Sequence, residues 1–179
     1  MSRFNQHLNS IVLATGVFAV QSYAVSAAFN DSRFMTSAGE LTGKLELSVT
    51  QQGFAGRSGI VWIIAPNGEF QASRFLNENT SASHLKGKLD SAALQHIARI
   101  LQQQDFLGLP SETGQSPPVN PKWIEICFGI QKASLMLPPG QSLQDASRES
   151  DLHGSDPSLR LLIILNSILE QIDPNGMPQ

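Results

Sequence analysis

The stretch Ile60-Val61-Trp62-Ile63-Ile64-Ala65, followed at once by Pro66-Asn67-Gly68, constrains this chain more than any other segment. A continuous apolar run rich in β-branched residues reads as a central strand. Proline presets φ at the turn, and Asn-Gly tolerates positive φ, so Glu69 to Phe75 is expected to return as the partner strand. Upstream, Leu45, Leu47 and Val49 alternate with Glu46 and Ser48, the period-2 signature of a strand with one wet face. The polar stretch Gln51 to Gly59, with its three glycines, reads as the loop between them.

The period then changes. Residues 77–88 are polar and read as a loop, and Asp90 is a good N-cap for a helix through about Gln104. Leu89 and Leu94 fit a hydrophobic staple; Leu94, Ile97, Ala98 and Leu101 form one apolar stripe. Phe106 and Leu109 follow as core plugs. Four prolines exclude regular structure over Pro110 to Lys122. Trp123 to Ile130 reads as a strand with Ile124, Ile126 and Phe128 on one face, Gly129 as a bend, and Ala133 to Leu137 as a further strand. A polar insert occupies 138–155 and is disordered or functional. Asp156 caps and Pro157 opens a last helix to about Ile172, apolar on most sides, as in helices buried centrally or against a partner. The expected class is α+β: a small, mostly antiparallel sheet packed by two helices, in the order β-ββ-α-ββ-α.

The N-terminus reads as an export signal over 1–28. Arg3 is basic, Leu8 to Val20 is apolar and uncharged, and Ala24 to Ala28 offers small residues for cleavage after Ala27 or Ala28. The apolar run is short for a membrane span, so no stable span is expected after cleavage. The expected destination is periplasmic or extracellular. Residues 29–43, rich in Ser, Thr and Gly, read as a flexible leader, 44–173 as one α+β domain, and 174–179 as a disordered tail. Cys127 is the one cysteine, which excludes an internal disulfide. Arg3 leaves with the signal, so of 12 Lys and Arg one is lost, and 11 face 15 Asp and Glu. An acidic balance argues against nucleic acid as a partner. Asn30-Asp31-Ser32 and Asn79-Thr80-Ser81 match the glycosylation acceptor pattern, which arises often by chance.

The motifs of catalysis are missing. The sequence has no G-x-S-x-G elbow, no H-E-x-x-H and no phosphate loop. His84, His96 and His153 lack ligand spacing, and Asp145, Glu149 and Asp151 lack that of a calcium loop. Glu112 and Glu125 read as solvated charge, and Trp62 and Trp123 as large core residues or as a groove lining. Cys127, between Ile126 and Phe128, reads as a buried and inert thiol. Neither metal nor cofactor is expected, and the chain is not expected to be an enzyme. A hydrolase using Cys127 ranks last.

One local pattern remains. Gln52-Gly53-Phe54-Ala55-Gly56 holds an apolar residue inside a tight glycine turn. Either the glycines serve geometry and Phe54 folds back onto the core, or a rigid loop presents Phe54 to a partner. With Gly-Phe-Ala-Gly after a strand, then a hairpin, a helix ending in Asp105-Phe106-x-x-Leu109, a Pro/Gly loop, a strand pair and a terminal helix, the chain resembles small proteins related to emfourin. Gln52 stands where that pattern commonly has a second glycine. The resemblance spans roughly Leu45 to Ile172 without the insert, and implies an α+β fold and inhibition of thermolysin-like metalloproteases. The functional expectation is an exported, non-enzymatic protein that binds a protein partner through Gly53, Phe54, Ala55, Gly56 and Arg57. The alternative is an assembly protein that docks or self-associates through Leu159 to Ile172.

Overall fold

The computed structural model describes residues 33–114, 119–137, 141 and 156–173. Strands β1 (Leu45–Gly53), β2 (Gly56–Ile64) and β3 (Glu69–Leu76) form an antiparallel meander. The short strands β4 (Asn79–Thr80) and β5 (Leu85–Lys88) follow one another along the outer edge of β3. Helix α1 (Ser91–Gln103) and a 3-10 turn (Phe106–Gly108) lead to β6 (Glu112–Thr113), β7 (Lys122–Phe128), β8 (Gln131–Leu137) and helix α2 (Pro157–Ile172). The sheet runs β4-β3-β2-β1-β7-β8-β6, with β5 also on β3. All pairs are antiparallel except β6 with β8. The fold is α+β, with three short strands beyond the expected order.

Both helices cover one face of this sheet. Leu47 of central β1 lies opposite Trp62 on one side and Ile126 on the other, and these lead on to Ala72 and Ala133. All five are buried, in one cluster with Leu94, Ile97, Ala98 and Leu101 of α1 and the apolar side of α2. The sequence signals for the helices have their expected physical form. Asp90 Oδ1 accepts from Ala93 N at 2.8 Å and Asp156 Oδ1 from Ser158 N at 2.9 Å, each satisfying an orphan donor of the first turn. The α2 end is tied to the sheet by the buried indole of Trp62, whose Nε1 donates to Asp173 Oδ2 at 3.0 Å.

Four sequence expectations need correction. Gln51 to Gly59 is not a loop: Gln51 pairs with Ser58 and Gln52 with Arg57, so the strands run on to a two-residue turn. Residues 77–88 carry the edge strands β4 and β5, too short for a readable period, with Leu85 the one apolar residue in them, packed against the core. The proline-rich stretch includes β6 and the first residue of β7. Residues 33–43 are no loose leader: Phe34 and Leu41 are buried, Met35 bridges Leu41, and the Phe34 ring lies 5.5 Å from that of Phe128. A turn places these two apolar side chains, so no helical or strand period announces them. The expected signal at 1–28, most of the insert 138–155 and the tail 174–179 lie outside the described residues.

Candidate functional site

The β1–β2 hairpin ends at Phe54-Ala55, closed by the pair Gly53 and Gly56. Phe54 does not fold back on the core; at 109% relative exposure it projects fully into solvent. The turn itself is braced. Asn77, which has φ 56°, accepts from Arg57 N through Oδ1 at 3.0 Å, while its Nδ2 donates to Ala55 O at 3.4 Å. Gly56 permits this clamp: its φ is +109°, and a Cβ there would lie 2.0 Å from Asn77 Oδ1.

Two further apolar side chains emerge at the same end of the sheet. Leu76 pairs with Ser58 and is half exposed. Val119, also exposed, lies two residues before Pro121, whose carbonyl accepts from Gln52 N at 2.8 Å. Phe54, Leu76 and Val119 thus crown one end of the sheet, whereas Ile130, the other fully exposed large apolar residue among those described, caps the β7–β8 turn at the opposite end. Scattered apolar residues need no explanation, whereas these three share one end of the sheet beside a fixed turn.

Arg57 stands behind the tip, on the sheet face that no described helix covers. Its guanidinium lies 5.2 Å from the centre of the Trp123 ring and 5.7 Å from that of Phe75. Phe75 lies across Gly59, and Trp123 lies on the far side of Thr50 in the register. The two rings hold the cation by cation–π attraction. No carboxylate or carbonyl among the described residues accepts from it, so its planar donors are free for a partner's acceptor. Thr50, beneath this cluster, has a buried hydroxyl with no hydrogen-bond partner among the described residues.

Beyond Trp123 the same face dips into a groove of about 320 Å³, floored by Met136 and walled by Glu112, Thr113 and Gly114. Glu125 and Lys132 form an ion pair within it. Of the two tryptophans that the sequence leaves as core or groove lining, Trp123 lines this groove and Trp62 is core. The wall itself is not legible in the sequence, because the parallel pairing of β6 with β8 that raises it joins residues about two dozen positions apart and leaves no local signal.

Cys127 shares the open face, half-buried, with its sulfur 3.8 Å from Glu125 Oε1. Burial first, then the negative charges of Glu125 and Glu46, push the thiol up, away from the thiolate a nucleophile needs. Among the described residues no group of three or more His, Cys, Asp or Glu is placed to hold a metal ion, and no helix is long and apolar enough to cross a membrane. Asp145, Glu149, Asp151 and His153 lie outside the described residues. No protein-family model matches this sequence, and no curated protein matches it.

Proposed function

We propose that this chain is an exported, non-enzymatic binding protein whose β1–β2 hairpin tip seats Phe54 in an apolar pocket of a protein partner. The observation that carries the reading is the full exposure of Phe54 on a turn braced by Asn77. Burying such a side chain yields about 1.5–3 kcal/mol, and a free chain that leaves it in water gains none of this. A turn already held in its bound shape loses little entropy on docking. Leu76 and Val119 widen the apolar contact, and Arg57 offers a fork to an acceptor on the rim.

The partner that the emfourin resemblance supports is a thermolysin-like metalloprotease, with the hairpin entering the substrate cleft. The alternative, docking through α2, has weaker support: Leu161, Leu162, Ile164, Leu165, Ile168 and Leu169 are already buried within the chain.

The test is inhibition of thermolysin by the purified protein, with Phe54→Ala as the diagnostic variant. We expect dose-dependent inhibition at micromolar protein, weakened about 30-fold or more in Phe54→Ala, as for a hot-spot aromatic. The variant's unfolding midpoint should match the parent, since the ring touches nothing. Absence of inhibition at micromolar protein removes the protease reading. If a pull-down from the exported fraction gives the same partners with Phe54→Ala as with the parent, the hairpin reading falls too.

A further inference from the structure

We propose that the groove beside Trp123 is a binding site for a neutral carbohydrate of one or two rings, separate from the hairpin tip. Its volume, about 320 Å³, lies at the small end of the range for small-ligand sites. The groove is built rather than incidental. Gly114, with φ +85°, sits so close to β8 that a Cβ there would lie 2.5 Å from Met136 O, which brings the β6 wall directly against the floor.

Charge decides the ligand class. Arg57 comes from the β2 side of Trp123 and lies over its ring, while the groove opens on the β8 side. A ligand cation stacked on that ring would face Arg57 across it and Lys132 within the groove. An anion would meet Glu112 and Glu125, of which Lys132 neutralises only one. A neutral ligand avoids both penalties. Lys132 stays charged in this setting, because its hydrogen bond to Glu125 and the carboxylates of Glu125 and Glu112 hold its pKa up.

The remaining groups match what a pyranose presents. One face of such a ring is a patch of C–H groups that packs on an indole and a thioether, here Trp123 and Met136. Its rim is hydroxyl groups, each both donor and acceptor. The Glu112 carboxylate, placed on this face by the pairing of Glu112 with Ser134, carries no hydrogen bond from the described residues and is open to that rim. A peptide strand fits less well. The β8 backbone beneath the groove is engaged by β7 on one side and, at Ser134 and Leu135, by β6 on the other, so β6 interrupts the ladder a peptide would extend.

The test is titration of the purified protein with cellobiose, maltose and N,N′-diacetylchitobiose, followed by saturation-transfer NMR and Trp fluorescence. Trp62 is fully buried, so a fluorescence change on binding reports Trp123. We expect at least one disaccharide to saturate in the millimolar range or below, with affinity falling about tenfold in Glu112→Ala and in Met136→Ala. Glu112 is an exposed wall residue, so Glu112→Ala should leave the unfolding midpoint unchanged, and Phe54→Ala should bind sugar as the parent does. Failure of all three sugars to saturate overturns the proposal. So does unchanged affinity in both groove variants, or preferential saturation by methylammonium, acetate or a short peptide.

Discussion

Arg160 offers the sharpest test of how the two helices are joined. It sits in the first turn of α2 with its side chain 20% exposed, and its guanidinium reaches the C-terminal end of α1. Nε donates to Gln104 O at 2.7 Å, a carbonyl that the end of α1 leaves without a helical partner, and Nη2 donates to Asp105 O at 2.8 Å, which also accepts from Gly108 N in the 3-10 turn. The cation also lies at the negative end of that helix dipole. Asp105 Oδ2 is 3.3 Å away, but this carboxylate is 64% exposed, so water screens the pair and it contributes almost nothing. Replacing Arg160 by Met keeps most of the stem and removes the fork. Hydrogen bonds from a charged donor are worth about 1.5–3 kcal/mol each. Partial rehydration of the freed carbonyls lowers this, so the expected loss is about 2–3 kcal/mol in all. In urea the midpoint should fall with unchanged slope, and Tm should drop by about 5–10 °C. Arg160→Lys, which keeps charge without the fork, should recover less than half. Asp105→Asn should stay within about 0.5 kcal/mol of the parent, since Asn also accepts the left-handed backbone at φ 44°. If Arg160→Met loses less than about 0.5 kcal/mol, or Arg160→Lys equals the parent, capping across the two helices is refuted.

Thr50→Val removes the buried hydroxyl that lacks a partner while keeping the branched shape, and should raise stability by about 1 kcal/mol in urea unfolding; destabilisation would mean that the hydroxyl is satisfied. Trp62→Phe deletes the donor to Asp173 and opens space under α2, and should cost about 2–3 kcal/mol; Asp173→Asn should cost less, because an amide oxygen can still accept. Cys127 has a folded pKa above the ordinary thiol value, so folding favours its protonated form. Any stability it contributes is present below the unfolded thiol pKa and is lost as pH rises through the folded one. The pH profile of its alkylation by iodoacetamide should therefore lie above that of glutathione, shift down in Glu125→Gln and shift up in Lys132→Met; a profile at or below glutathione would contradict the assigned environment.

What could be read from the sequence follows from how local each cause is. Asp90 with the Leu89 and Leu94 staple, Asp156 with Pro157, and Ile124, Ile126 and Phe128 on one face all act within a few residues, and each appears in the fold in its expected role. The hairpin arms between Gln51 and Gly59 escaped because they reach past the helices, so neither face is apolar and no alternation marks them as strand. The open face escaped for a stronger reason. Arg57, Phe75 and Trp123 are neighbours only because β7 pairs with β1 in the register that sets Trp123 beside Thr50, and nothing near Trp123 specifies that alignment. The core does specify it. Slipping β7 by one residue would turn Ile124, Ile126 and Phe128 out to water and drive Trp123, Glu125 and Cys127 into the helix layer, burying a carboxylate. The apolar face of β7, legible in the sequence, therefore fixes the position of the polar face, and the groove beside Trp123 and the clamp on Arg57 lie on the side of the sheet that the two described helices leave open.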